Sequence, residues 1–181
     1  MAKSLTFTSI AVSGQACSGK STLCKLLSNK LEWCYVEIGG EIRKLAIEHH
    51  LAIEHFGSIP DPQLRQVDEH IEQRISIETN TIWDGRLACY LARKATRIFK
   101  IYCIAPIELR SLRLSVREKI SLENARAIIE KRDSEEEEVF RRLYALHSPY
   151  NEKWVNLKVD TSNPPDALLN SILNETHFAK T

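Results

Sequence analysis

The chain lacks an excess of charge of either sign: 25 lysines and arginines stand against 24 acids, a net charge of +1. A balance this close gives no general attraction to nucleic acid or to an anionic membrane, so any cationic site has to be local. No C-x-x-C pair occurs among the five cysteines, Cys17, Cys24, Cys34, Cys89 and Cys103, and none of their spacings suits a zinc centre. Four of them lie in apolar strand or helix surroundings, which reads as reduced core thiols rather than a disulfide frame. No apolar run approaches the length of a membrane span. The first apolar stretch is broken by Thr and Ser and lacks a processing site, so no secretory leader is read there and the cytoplasm is the expected location. Internal repeats are absent. The remainder is the composition of an ordinary globular protein, 43% apolar and 27% charged over 181 residues. That length suits one domain, 1–181, with a sizeable core.

Two of the six glycines stand in Gly14-Gln15-Ala16-Cys17-Ser18-Gly19-Lys20-Ser21, which fits the phosphate-loop pattern G-x-x-x-x-G-K-[ST]. Such a loop wraps a polyphosphate with successive backbone N–H groups. Gly14 and Gly19 fall where the chain turns sharply and comes close to the phosphates, so a side chain would be in the way. Lys20 is placed to reach the β- and γ-phosphates, and the Ser21 hydroxyl to ligate Mg²⁺. Residues 5–13 read as a β-rich strand, and Leu23, Leu26, Leu27 and Leu31 recur at helical spacing over 21–31. The helix N-terminus adds its positive end to the phosphate site. The bland alternative is a glycine- and serine-rich turn that happens to contain a lysine; the strand–loop–helix setting counts against it.

Further along, a strand is predicted around Trp33–Ile38, broken by Gly39-Gly40, with a helix over 41–50. Residues 51–57 extend that helix or form a separate turn. Asp61 before Pro62 starts the next helix, about 62–78, with Leu64, Val67, Ile71 and Ile75 on one stripe. Thr81–Asp84 reads as a buried strand, followed by a short helix through Leu87–Ala95 and a strand at Ile98–Ile104. Pro106 opens a helix to about Arg117, residues 118–121 are a break, and Leu122–Tyr144 is a long charged helix. Asn156–Asp160 is the last strand and Pro164-Pro165 leads into a final amphipathic helix. Strands alternating with helices imply a parallel sheet covered on both faces. The acidic run Glu135–Glu138 reads as a solvated helix face.

Open α/β sheets bind ligands beyond the carboxyl ends of their strands. The phosphate loop, the Gly39–Arg43 segment and Asp84-Gly85-Arg86 should converge there. Arg86 has the planar fork that suits a phosphate. Asp84 either holds a water on Mg²⁺ or caps the following helix. Arg43 sits in the first turn of its helix, where a cation opposes the helix dipole; it is an anion ligand or an ordinary solvated arginine. Arg110, Arg113 and Arg117 form one stripe, with Arg132 on the next helix. The arrangement fits either a lid that brings cations to transferring phosphates or a solvent-facing stripe paired with Glu108, Glu118 and Glu130.

These segments together resemble the nucleoside monophosphate kinases, most closely the short, archaeal-type cytidylate kinases. The resemblance runs from residue 5 to about 173. It is carried by Ile10-Ala11-Val12-Ser13-Gly14, Gly39-Gly40-Glu41-Ile42-Arg43, Asp84-Gly85-Arg86-Leu87-Ala88, Ala105-Pro106-Ile107-Glu108-Leu109-Arg110, Arg113 with Arg117-Glu118, Ile120-Ser121, Arg132-Asp133 and Val159-Asp160-Thr161. It implies a five-stranded parallel sheet in order 2-3-1-4-5, an acceptor-binding helical segment about 40–78 and a lid about 114–135. It implies ATP bound by Gly14–Thr22 (Gly14, Gln15, Ala16, Cys17, Ser18, Gly19, Lys20, Ser21 and Thr22) and Mg²⁺ held by Ser21 and Asp84. The acceptor, CMP or dCMP, falls to Arg43, Asp68, Asp84 and Arg86, and transfer to Lys20, Arg86, Arg117 and Arg132. Asp68 is a candidate for the base because a carboxylate can accept from the exocyclic amine of cytosine; a helix-surface role is the alternative. Neither nucleic acid nor membrane is expected as partner, and a monomer is favoured. One departure stands out: the family's arginine seven positions after Arg132 is here Val139, with Arg141 and Arg142 nearby on other faces. Val139 favours a rival reading, a nucleotide-binding regulator without catalysis. A hydroxyl acceptor is another rival, and Asp84 would then serve as base.

Overall fold

Five parallel strands form the centre of the computed structural model of the chain, which describes residues 6–41, 44, 60–176 and 178. The strands are β1 (Ser9–Gly14), β2 (Cys34–Glu37), β3 (Thr81–Asp84), β4 (Ile98–Ile104) and β5 (Leu157–Asp160), in sheet order β2-β3-β1-β4-β5. The helices are α1 (Lys20–Leu31), α2 (Asp61–Ile77), α3 (Ala88–Leu91), α4 (Ile107–Glu118), α5 (Leu122–Tyr144) and α6 (Pro165–Glu175). The expected strand order is the order observed.

Alternation along β1 assigns the two faces. Ile10 and Val12 pack with Leu23, Cys24 and Leu27 of α1 and Leu169 and Ile172 of α6. Ala11 points the other way, into a layer built from Leu64, Val67, Ile71 and Ile75 of α2 and Val139, Phe140 and Leu143 of α5. Every residue of β1 is buried, as a central strand covered on both faces must be. Register then fixes the site: Val12 lies opposite Asp84, Gly14 opposite Cys103 and Ile104 opposite Asp160. The carboxyl ends of four strands thus meet at the phosphate loop.

The structure departs from expectation in a few places. The chain turns helical at Ile38, before the glycine pair, with residues 38–41 and 44 helical. Ile38 is buried against Gly85, where a Cβ would come within 2.9 Å of the Ile38 Cβ, so a tertiary contact sets the turn. The helix expected over 41–50 and the segment 51–57 fall, at 42–43 and 45–59, outside the described residues. Helix α3 is only four residues long because the chain turns back after it, with Arg93 bonding the Tyr90 carbonyl at 2.8 Å and Glu72 at 2.6 Å. Cys34 is exposed on edge strand β2, while Cys24, Cys89 and Cys103 are buried. A third, small cluster of Leu114, Ala125 and Ile129 joins α4 to α5 and reaches Cys17 of the phosphate loop.

Candidate active site

Gly14 and Gly19 hold the loop where the sequence placed its turns. A Cβ on Gly14 would sit 2.6 Å from the Cys103 carbonyl oxygen and 2.6 Å from Ser18 Oγ, closer than any side chain is tolerated. Gly19 has φ 85°, in the left-handed region, and stands at the N-cap of α1. Lys20 and Ser21 follow in the first turn of that helix. The loop is gripped from outside through its carbonyls. Arg110 Nη1 donates to the Ala16 carbonyl at 3.3 Å, Arg113 Nη1 to Cys17 at 3.3 Å, and Thr161 Oγ1 to Ser18 at 2.6 Å. Arg110 and Arg113 are therefore not a solvent-facing stripe. Glu108 and Glu130 take Arg126 as partner, and only Arg117 pairs with its expected acid, Glu118, at 2.9 Å.

In front of the loop the cations are met by carboxylates. Arg86 Nη1 lies 3.3 Å from Asp133 Oδ1 and in ion-pair contact with Glu136. Asp133 Oδ2 also accepts from Arg110 Nη1 at 2.6 Å and from Gln15 Nε2 at 3.4 Å. Burial pushes the Glu136 carboxyl up to about 7; Arg86 and Lys20 pull it back, Asp133 adds to the rise and Arg132 opposes it. The run Glu135–Glu138 is thus not a uniformly solvated face: Glu136 turns inward while Glu137 and Glu138 are exposed. The signal was in the spacing. Ala125, Ile129, Asp133, Glu136, Phe140 and Leu143 share one stripe of α5, so two acids stand in the middle of its buried face.

Asp84 is buried at the end of β3. Its Oδ2 accepts from the Tyr35 hydroxyl at 2.8 Å, and Oδ1 has no hydrogen-bond partner among the described residues. Burial and that bond push the Tyr35 phenol well above its ordinary range. The cap reading fails, because Leu87 occupies the N-cap of α3 and no side chain caps it. A buried carboxylate oxygen left open at the strand end, near Cys24 of α1, fits a hard cation with oxygen ligands.

The other predicted residues are dispersed. Arg117 is more than half exposed and, with Cys17–Leu23, Arg113, Thr161, Asn163 and Leu168, lines a cavity of about 350 Å³ beside the loop. Arg132 is exposed on α5. Asp68 is buried where α2 meets α5, its Oδ2 taking the Tyr144 hydroxyl at 2.5 Å, and burial raises it to about 6. Asp68 is therefore a buried carboxylate with a partner inside the fold, and the helix-surface alternative fails. Val139 is core, and Arg142 is bound to Asp61 at 2.7 Å. Arg43 lies outside the described residues. A larger groove of about 690 Å³, lined by Thr8, Glu78, Thr79, Lys94, Arg97 and Ile98 among others, opens at the amino ends of the strands, away from the loop. Sequence reasoning missed Tyr35, Glu136 and the grip of Thr161; the spacing along α5 marks Glu136, whereas only distant chain contacts reveal the other two.

The profile of the cytidylate kinase-like family matches residues 58–163. A cytidylate kinase of Pyrococcus abyssi is 31% identical over 140 residues, 76% of each chain. One of Saccharolobus islandicus is 30% identical over 158 residues, 85% of this chain and 82% of that one. Among solved structures, an uncharacterised protein of Eubacterium ventriosum superposes with TM-score 0.71 at 13% identity, over 93% of this chain and 97% of its own. A gluconokinase of Sinorhizobium meliloti gives 0.64 at 14%, over 95% and 92%. At these identities the structural likeness shows the fold alone.

Proposed function

We propose, from the premise that this chain belongs to the cytidylate kinase-like family, that its acceptor is CMP or dCMP. The chain is an ATP- and Mg²⁺-dependent phosphotransferase of the nucleoside monophosphate kinase kind. The observation that carries the site reading is the convergence at the strand ends: an amide-lined loop with Lys20, an open buried oxygen on Asp84, and Arg86 held on the carboxylates of α5. Carboxylates on an arginine mark a place built for anions.

An oxygen of the acceptor phosphate attacks the γ-phosphorus of ATP, and the bond to the β,γ-bridging oxygen breaks, leaving ADP. The acceptor oxygen is already anionic, so no general base is required. Catalysis then rests on alignment and charge neutralisation. The loop amides and Lys20 hold the donor phosphates. The donor base takes the cavity lined by Arg117 and Asn163. Arg86 exchanges Asp133 and Glu136 for acceptor phosphate oxygens, and Arg43 joins it. Arg132 closes over the transferring group as residues 114–135 move as a lid. The Ser21 hydroxyl and Asp84 would hold Mg²⁺, which would supply neutralisation of the donor's phosphate charge. Asp68, engaged by Tyr144, is left out of the base contact.

The test is a coupled ADP-release assay with CMP, dCMP, UMP, AMP and GMP, and with gluconate or shikimate as hydroxyl acceptors. The cytidine nucleotides should exceed AMP in kcat/KM by roughly 10²-fold or more, because a mismatched base leaves polar site groups unpaired. Equal values for CMP and AMP would remove the acceptor assignment. Turnover of a hydroxyl acceptor would move Asp84 to the role of base.

A further inference from the structure

The structure assigns Thr161 and Arg113 as positioning residues that set the direction of the phosphate-loop amides from behind, an assignment that rests on the phosphotransferase reading of the site. In a planar peptide the carbonyl of one residue and the N–H of the next point in opposite directions. The three carbonyls held from outside are consecutive, Ala16, Cys17 and Ser18. Holding them outward turns the N–H groups of Cys17 and Gly19 inward, toward the concave side that cradles phosphate, while that of Ser18 closes a turn on the Gln15 carbonyl at 3.2 Å. The loop therefore carries its donor geometry before any nucleotide arrives.

Thr161 is the centre of this grip. Its backbone N–H continues the β4–β5 pairing by donating to Ile104 at 2.9 Å, so the residue is fixed by the sheet. Its hydroxyl has one proton. The Ser18 carbonyl at 2.6 Å takes it in preference to the Ile104 carbonyl at 3.1 Å. The same oxygen accepts from Arg113 Nη1 at 3.1 Å, while Arg113 Nη2 bonds the Thr161 carbonyl at 2.6 Å. One guanidinium thus ties Cys17 of the loop to both ends of Thr161. A Cβ on Gly19 would stand 3.2 Å from Arg113 and from Thr161, so the grip is packed against the peptide it orients. Without the hydroxyl, the Ser18–Gly19 peptide loses its outer anchor and is free to rotate its N–H out of the cradle.

Thr161→Val keeps the shape of the buried side chain and removes the donor. Binding of Mg·ATP and of inorganic tripolyphosphate, which has no base, should each weaken about tenfold by calorimetry, since one buried carbonyl is left unanswered. CMP affinity should stay within about twofold, and Thr161→Ser should return tripolyphosphate binding to within about threefold of wild type. Arg113→Gln should show the same split at smaller amplitude, and it decides the matter if the valine variant does not fold. Unchanged tripolyphosphate affinity in both variants overturns the assignment, as does an equal weakening of donor and acceptor with a lowered Tm. A wild-type protein that binds tripolyphosphate but transfers to no acceptor would remove the phosphotransferase reading and leave the loop assignment standing.

Discussion

The back and the front of the phosphate loop are held by opposite means. Behind it, three backbone carbonyls receive hydrogen bonds from α4 and from the end of β5. In front of it, Arg86 is held by two carboxylates of one helix. The back contacts are made to backbone carbonyls, which a phosphate cannot replace, and can persist through the reaction. The front contacts occupy the guanidinium that the proposed function gives to the acceptor phosphate, so on that proposal a nucleotide has to displace them. The back is preorganised, and that lowers the reorganisation needed as charge develops. The front is an exchange of anions, and its strength subtracts from affinity.

The comparison can be pressed hardest at Lys20, where both halves serve one cation. Lys20→Ala should lower phosphoryl transfer by roughly 10³-fold or more, as loss of a phosphate clamp implies. Apo thermal unfolding should be unchanged, because the side chain is not part of the core. Wild-type turnover in this variant would end the site assignment.

Arg132 belongs to neither half in the open protein, being exposed on α5. If it arrives only on closure it acts on the transition state. Arg132→Met should then lower kcat by roughly 10²–10³-fold, while the Kd values for ATP and acceptor change less than about fivefold. Weakened acceptor binding with kcat preserved would make Arg132 a ground-state contact. No change in either would dissolve the lid.

The smallest effect sharpens the front half alone. Glu136 titrates near 7 in the free protein, above its ordinary 4.5. Above that pH it is charged and competes for Arg86; below it the carboxyl is neutral and releases the guanidinium. Nucleotide affinity of Glu136→Gln should therefore exceed that of wild type by about three- to tenfold at pH 8 and match it near pH 6. The sign also applies to folding. A raised folded-state pKa contributes stability that is complete below about 4.5 and lost as pH rises through about 7, so apo Glu136→Gln should be the more stable protein at pH 8. A ratio independent of pH would show that Glu136 is not the competing anion.

By itself the sequence determined the phosphate loop, the alternation of strands and helices, the sheet order implied by resemblance, and the placement of Asp84 and Arg86 at a strand end. These are local: a turn that only glycine admits, a hydrophobic period, a charge just past an apolar run. Tertiary structure alone decided which arginines support the loop and which are left free to meet a ligand. Arg110, Arg113 and Arg117 are equivalent on a helical wheel, yet one is buried on Asp133, one grips Thr161 and one is exposed beside Glu118. The same holds for acids: Glu136 and Glu137 are neighbours in one run, and only Glu136 faces Arg86. A charged side chain takes its role from the partner that desolvates it, and for Arg86, Arg110 and Arg113 that partner comes from 23 to 96 residues away in the chain. Periodicity cannot see such a partner, because only the folded sheet brings the two ends of the contact together.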